Sequence, residues 1–178
     1  MINLTDFLIV LSDKSLKGVV RREVIINLLT SGELPFSVIE QCADGLDDKK
    51  KATVLEAMEE ISRSDISLPT ANWLHLAQKY INSDSNSLKR EASRVVGNIA
   101  HLFPYDLSDV ISALKVNTFD TGTIVRWAAA YALSRIVVIE QYAKSELYEY
   151  VVSLCEKEED SGVKNQYVKA LKKVQKLR

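Results

Sequence analysis

Apolar residues recur with a helical period between residues 120 and 138. Four of them stand at steps of four, three and four, which places them on one face of an α-helix: Val125, Ala129, Ala132 and Ile136. Asp120, just before this pattern, offers a carboxylate to the unpaired N–H groups of a helix start. Because alanine lets a second helix approach closely, the stretch predicts an inner helix that is packed against on several sides.

The same period continues along the chain and predicts about ten helices in five pairs. We expect the pairs at about residues 4–29, 35–61, 70–102, 106–138 and 145–177. Six glycines and three prolines are few for a turn-rich β fold and suit helices joined by short loops. The predicted fold class is therefore all-α.

The second helices of four pairs can be laid over one another. Their first residues stand 38, 37 and 38 positions apart: Lys50, Leu88, Val125 and Val163. A small or aliphatic residue recurs inside each helix, at Ala57, Val95, Ala132 and Ala170. The helix of the first pair fits with a shorter spacing, as the end unit of a repeat array often does. The chain is therefore predicted to be a repeat protein.

This pattern resembles HEAT repeats, whose second helix typically carries an aspartate ahead of Val-Arg and then alanines. The best match is Asp120, Val125, Arg126, Ala129, Ala132 and Leu133. Weaker matches are Asp84, Lys89, Ala92, Val96 and Gly97 in the third pair and Asp160, Val163, Lys164 and Ala170 in the fifth. The resemblance covers residues 34–178 better than 1–33. It implies a right-handed α-α superhelix, a solenoid of about five helical hairpins, with residues 1–178 as a single domain. An armadillo-like arrangement is a close alternative.

Composition and cysteine usage point to a cytoplasmic protein. The net charge of -1 and the pI near 6.2 give no global attraction to nucleic acid or to anionic membranes. Cys42 and Cys155 lie far apart without metal-ligand spacing, so we expect two reduced, buried thiols. The N-terminus lacks the basic segment of a signal peptide, and the most apolar stretch is interrupted by Arg126 and Arg135.

No sequence motif supports catalysis, a metal site or a cofactor. The chain has no glycine-rich phosphate loop, no HExxH, no GxSxG and no Cys/His/carboxylate cluster at ligand spacing. His75 and His101 are interpreted as structural or surface histidines. The carboxylates of the second pair are expected to form a solvated face: Glu56, Glu59 and Glu60. We therefore expect a protein that is not an enzyme.

One set of residues is a candidate binding surface. With the apolar face of the 120–138 helix turned inward, Trp127 and Tyr131 point to the opposite side and are expected to be exposed. The equivalent positions hold Arg90 and Arg94 in the third pair and Lys169 in the fifth. The family resemblance implies that second helices line the concave surface, so these five residues would form a stripe there. The alternative is that Trp127 packs against a neighbouring repeat.

Three functions are compatible with this stripe. A scaffold or adaptor that binds a partner protein with an acidic or mixed surface is favoured, because Arg, Trp and Tyr dominate protein interfaces. A nucleic-acid-binding module is the first alternative, because the stripe combines cations with stacking surfaces. A non-catalytic subunit or a lyase-like member of the repeat family is the second.

Two further expectations concern packing. Ala92, Val96, Ala129 and Ala132 should be buried between helix layers. The last helix should be ordered, with a polar outer side supplied by basic residues: Lys164, Lys169, Lys172, Lys173, Lys176 and Arg178.

Overall fold

The computed structural model describes residues 1–177, and of Leu177 only the backbone. Within this range the chain forms eleven α-helices and one short 3-10 helix, and no strand is present. The all-α prediction is therefore confirmed. The chain divides into two compact units, one of residues Met1–Thr70 and one that starts at Ala71.

The first unit contains four helices: α1 (Leu4–Ser12), α2 (Gly18–Thr30), α3 (Phe36–Ala43) and α4 (Asp48–Ser64). Helix α1 packs against α3, and α2 packs against α4. Asn3 and Asp6 start α1 with a capping box, in which each side chain accepts a hydrogen bond from the other residue's backbone N–H. Asp47 caps α4 by accepting a hydrogen bond of 2.9 Å from the Lys50 N–H. Gly32 turns the chain after α2 with a φ of 76°, which favours glycine.

The second unit contains seven α-helices. They are α5 (Ala71–Tyr80), α6 (Asn86–Ile99), α7 (Ser108–Asn117), α8 (Thr123–Ile136), α9 (Glu140–Ala143), α10 (Glu146–Lys157) and α11 (Ser161–Leu177). The 3-10 helix Ala100–Leu102 follows α6 directly. Helix α8 lies between α6 and α11, while α5 packs on α6, α7 on α8 and α10 on α11. Three of the predicted helical pairs are therefore present, with their second helices side by side.

Helix α8 is the inner helix that the apolar pattern predicts. Its side chains Val125, Ala129, Ala132 and Ile136 are 0% exposed, as are Ala92 and Val96 of α6. The two helices approach closely at Gly97 of α6, since a Cβ atom there would lie 3.1 Å from the Cα atom of Ala132. Small residues on both helices therefore allow the close packing, and their predicted burial is confirmed.

An ion pair recurs between successive second helices. Lys89 of α6 reaches Asp120, before α8, with an Nζ–Oδ2 distance of 2.7 Å. Arg126 of α8 reaches Glu158, before α11, with an Nε–Oε2 distance of 3.2 Å. The Lys89 hydrogen bond and, after it, the Gly122 N–H hold the pKa of Asp120 below its ordinary value. Lys89 and Arg126 occupy equivalent positions in the repeat, so both pairs join neighbouring repeats in the same way.

Several expectations need correction. Cys42 is buried as predicted, and burial raises the pKa of its thiol, but Cys155 is only half-buried; both are free cysteines. Glu59 is 5% exposed and therefore is not part of a solvated face. Helix α9 was not predicted, because four residues are too few to show a helical period. The last helix is present as predicted, although Arg178 lies outside the described residues.

Residues 1–177 contain neither a membrane-spanning helix nor a cluster of metal-ligand side chains. None of the helices within residues 1–177 is long and apolar enough to cross a membrane. No group of three or more His, Cys, Asp or Glu side chains in that range is arranged to hold a metal ion.

Candidate functional site

The outer side of α8 carries a column of two aromatic rings and a cation. Trp127 and Tyr131 are one helical turn apart and stack with their ring centroids 5.4 Å apart and their planes 20° apart. One turn further, the guanidinium carbon of Arg135 lies 4.5 Å from the centroid of the Tyr131 ring. Because the rings cover each other, both are half-buried, whereas the sequence predicts exposed rings.

Tyr131 is held in place by helix α6. Its hydroxyl donates a hydrogen bond of 2.6 Å to Oδ1 of Asn98, a residue that is only 3% exposed. Its ring lies over Gly97, where an added Cβ atom would come within 2.9 Å of two ring carbons. The position of the tyrosine therefore depends on a glycine and an asparagine of the neighbouring helix.

Arg90 and Arg94 of α6 share one buried carboxylate. Nε of Arg90 lies 2.6 Å from Oε1 of Glu91, and Nη1 of Arg94 lies 3.1 Å from Oε2 of the same side chain. Glu91 is 2% exposed, whereas the two arginine side chains are half-buried. A buried carboxylate is stable only with such partners, so Glu91 orients both guanidinium groups and neutralises one of their two positive charges.

A groove of about 380 Å³ lies between α6, α8 and α11. Gly97, Tyr131 and Ala170 contribute to its lining, and each comes from a different one of these helices. Its cations are Arg135 of α8 with Lys169 and Lys173 of α11. Among the side chains of residues 1–177 that line the groove, none is acidic. The groove is therefore positively charged, although the whole chain has a net charge of -1.

The three groove cations have no carboxylate partner within the described part of the chain. Neither Arg135 nor the two lysines, Lys169 and Lys173, takes part in an ion pair there. Lys169 and Lys173 are exposed, as is Arg135. The groove therefore presents charge to the solvent that the fold itself does not neutralise.

The structure brings part of the predicted stripe together. Tyr131 and Lys169 line the groove, and Trp127 stacks on Tyr131. Arg90 and Arg94 are on α6 beside Glu91 and do not line it. All five residues belong to the second unit.

The sequence interpretation missed several groove residues, among them His101, Ser134, Arg135 and Lys173. A signal for two of them was present. Arg135 and Lys173 stand one helical turn after Tyr131 and Lys169, at equivalent positions of successive repeats. Both cations are found when the repeats are also compared at the position four residues after Tyr131 and Lys169. His101 and Ser134 have no such signal, because their place in the groove depends on how the helices pack.

Comparisons with known proteins concern the fold alone. No protein-family model matches the chain, and no curated protein matches it. Two crystal structures, each described as an engineered protein and a Northeast Structural Genomics Consortium target, are similar. The first has a TM-score of 0.64 at 18% identity over 98% of this chain and 80% of the other. The second has a TM-score of 0.62 at 18% identity over 97% of this chain and 47% of the other. The all-helical, repeat-like fold is thus shared with engineered helical proteins.

Proposed function

We propose that this chain is a non-enzymatic scaffold or adaptor that binds a partner protein through the concave face formed by its second helices, among them α6, α8 and α11. The observation that carries the proposal is the combination on one surface of stacked aromatic rings and cations without carboxylate partners. Arg, Tyr and Trp contribute most of the binding energy in protein interfaces, and complementary charge directs the choice of partner. The partner surface is therefore acidic or mixed.

The proposal includes the architecture. We infer that the helical pairs form a right-handed HEAT-like solenoid, in which second helices line the concave face. The side-by-side packing of α6, α8 and α11 and the recurring ion pair support this inference. Small-angle X-ray scattering tests it, because an extended superhelix gives a larger radius of gyration than a compact bundle of the same length. A scattering curve typical of a compact bundle would contradict the solenoid.

The test of function begins with affinity capture of partner proteins from the source lysate. Binding of the captured partner to two variants, Trp127→Ala and Arg94→Ala, is then measured by calorimetry. Each variant should weaken binding roughly tenfold or more, as truncation of a central interface residue does. Ile124→Ala is the matched control, because Ile124 is an exposed apolar residue of the same helix α8. Unchanged binding by both variants would refute the proposal. Melting curves must show that both variants still fold, because Arg94→Ala removes a partner of the buried Glu91.

Single-stranded nucleic acid is the second candidate, favoured by the unpaired cations beside an aromatic ring. It has weaker support because Trp127 and Arg135 already contact the ring of Tyr131. Of the two aromatic rings, Trp127 is therefore the one on which a base could stack. Titration with a labelled mixed-sequence oligonucleotide at two salt concentrations tests it. Tight, salt-dependent binding that Trp127→Ala abolishes would favour nucleic acid over protein.

A further inference from the structure

We propose that the groove between α6, α8 and α11 binds an extended segment of the partner protein that carries acidic side chains at alternate positions. This inference rests on the proposed function and names the chemistry of the segment that the surface recognises. The groove cations Arg135, Lys169 and Lys173 would each receive a carboxylate.

The charge of the groove is the first argument. Its three cations lack carboxylate partners within residues 1–177, and no acidic side chain in that range lines the groove. Arg135 is fixed against the ring of Tyr131, with its guanidinium carbon 4.5 Å from the ring centroid. A guanidinium held in this way loses little conformational freedom when it forms two parallel hydrogen bonds with a carboxylate. The groove thus offers a preorganised site for acidic groups.

A hydroxyl without a partner is the second, independent argument. Ser134 lines the groove and is only 8% exposed, and its Oγ atom is buried without a hydrogen-bond partner within residues 1–177. Buried polar groups usually have a partner, because an unsatisfied hydroxyl is unfavourable. In the proposed complex this hydroxyl turns toward the groove by rotation about χ1 and donates a hydrogen bond to a carboxylate of the bound segment. A ligand would therefore supply a contact that the free protein lacks.

The spacing of the lysines is the third argument and selects a peptide. Lys169 and Lys173 are one helical turn apart on α11, and side chains at this spacing have their Cβ atoms about 5–6 Å apart. An extended chain rises about 3.3 Å per residue, so its alternate side chains lie on the same side about 7 Å apart. Acidic residues at alternate positions therefore match both lysines at once. A groove of about 380 Å³ also exceeds what one small anion fills.

The direct experiment measures binding of a fluorescein-labelled peptide of alternating Glu and Ser residues by fluorescence anisotropy. The comparison peptides have the same length, one with Gln in place of every Glu and one with each Glu separated from the next by three serines. We expect the alternating peptide to bind most tightly and the Gln peptide least. Equal binding of the two Glu-containing peptides would overturn the alternate spacing.

The central variant reverses both lysine charges, Lys169→Glu with Lys173→Glu. Its matched control is Lys172→Glu with Lys176→Glu, because these lysines are also exposed on α11 but do not line the groove. The groove pair should lower the affinity for the alternating peptide roughly tenfold or more, whereas the control pair should lower it only by a small factor through long-range charge. Equal losses in both pairs would contradict the proposal.

Ser134→Ala tests the hydroxyl without changing any charge. It should weaken peptide binding about threefold, the size expected for one lost hydrogen bond. The melting temperature should not fall, because the Ser134 hydroxyl has no partner within the described residues of the free protein. A lower melting temperature with unchanged peptide binding would show that the serine is structural and would remove this argument.

Two further measurements test whether the groove prefers another kind of ligand to the acidic peptide. Inorganic phosphate at millimolar concentration should not displace the peptide, and a mixed-sequence oligonucleotide should bind more weakly than the peptide. Displacement by phosphate or tighter oligonucleotide binding would each overturn the proposal. If the peptide fails to bind while a captured partner still depends on Trp127, the proposed function stands and this inference fails.

Discussion

The two units carry different charges at equivalent positions of the repeat. These positions are acidic in α4 of the first unit, whereas in α8 and α11 of the second unit they hold a tyrosine and three cations. Glu56 of α4 is equivalent in the repeat to Tyr131 and Lys169, and Glu60 to Arg135 and Lys173. Both glutamates lie within ion-pair distance of one arginine of their own unit.

This arginine is Arg22 of α2, which lies 3.7 Å from Glu56 and 3.2 Å from Glu60 and balances one of their two negative charges. The groove cations Arg135, Lys169 and Lys173 have no such carboxylate within residues 1–177. The difference shows that equivalent positions of the repeat can either take part in an internal ion pair or carry charge without a carboxylate partner among the described residues. Unneutralised like charges repel one another, so their clustering on one groove is unfavourable for the free protein. Four substitutions test this comparison, in order of decreasing expected loss of stability.

The largest effect is expected from Ala129→Asp in α8. Ala129 is 0% exposed, so the substitution would bury a charge without a partner at the centre of the second unit. We expect a loss of several kcal/mol, a large part of the stability of a typical domain. Thermal melting followed by circular dichroism measures it. Ile124→Asp, at a 49% exposed position of the same helix, should melt close to the unmodified protein. Equal melting temperatures of the two variants would contradict the burial of the Ala129 face of α8 in the core of the second unit.

Gly97→Ala should destabilise the second unit, although alanine favours helices by about 1 kcal/mol over glycine. The new Cβ atom would lie 2.9 Å from the Tyr131 ring and 3.1 Å from the backbone of Ala132, so helix packing must shift. Overpacking of this kind costs about 1–3 kcal/mol and should outweigh the helix preference.

A glycine of the first unit provides the control for Gly97→Ala. In Gly45→Ala the added Cβ atom would meet only the Cys42 carbonyl oxygen, at an ordinary distance of 3.6 Å. This variant should be neutral or slightly more stable in urea denaturation, because alanine restricts the unfolded chain. A Gly97→Ala protein as stable as Gly45→Ala would show that α6 and α8 can separate at little cost.

Asp120→Asn should lower stability at neutral pH by about 1–2 kcal/mol, because it removes the charged acceptor of Lys89. The pKa of Asp120 is lowered in the folded protein, first by the Lys89 hydrogen bond. The carboxylate therefore stabilises the fold above its unfolded pKa, and this contribution is lost as pH falls through the lowered folded pKa.

The difference in unfolding free energy between Asp120→Asn and the unmodified protein should accordingly shrink in the acidic range below about pH 4. A double-mutant cycle with Lys89→Gln isolates the pair, and we expect a favourable coupling energy at pH 7. A difference that grows on acidification, or a coupling energy of zero, would show that the pair does not join the two repeats.

The smallest effect is expected from Arg22→Ala in the first unit. Its partners Glu56 and Glu60 have side chains that are 32% and 43% exposed, so solvent screens both ion pairs. The loss should be about 0–1 kcal/mol and should decrease with added salt. Chemical denaturation at low and high salt measures it. A large, salt-independent loss would mean that Arg22 contributes by packing and not through its ion pairs with Glu56 and Glu60.

The sequence predicts the helices well because their signal is local. The alanines of α8 and the apolar period of the second helices each depend on residues close together in the chain, and the structure has these helices where the period predicts them. The groove was harder to predict because it joins three helices. The bond between Tyr131 and Asn98 spans a contact between α6 and α8, which no local pattern reveals.

The burial of charged residues was also beyond the sequence. Glu91 and Glu59 occupy helix positions that a period alone leaves ambiguous, and both are buried beside arginines: Arg90 and Arg94 for Glu91, and Arg63 for Glu59. A carboxylate is buried only where cations from the surrounding structure reach it, so the outcome depends on side-chain geometry. For the same reason the sequence could not show that Arg90 and Arg94 share Glu91, which balances one of their two positive charges.

Chemical-shift mapping with the alternating Glu/Ser peptide tests the central comparison most directly. The isotope-labelled protein is titrated with the peptide, and backbone amide shifts are followed in both units. We expect the largest shifts on α8 and α11 around Tyr131, Ser134, Lys169 and Lys173, and none on α4 around Glu56. Shifts spread evenly over both units, or centred on α4, would contradict it.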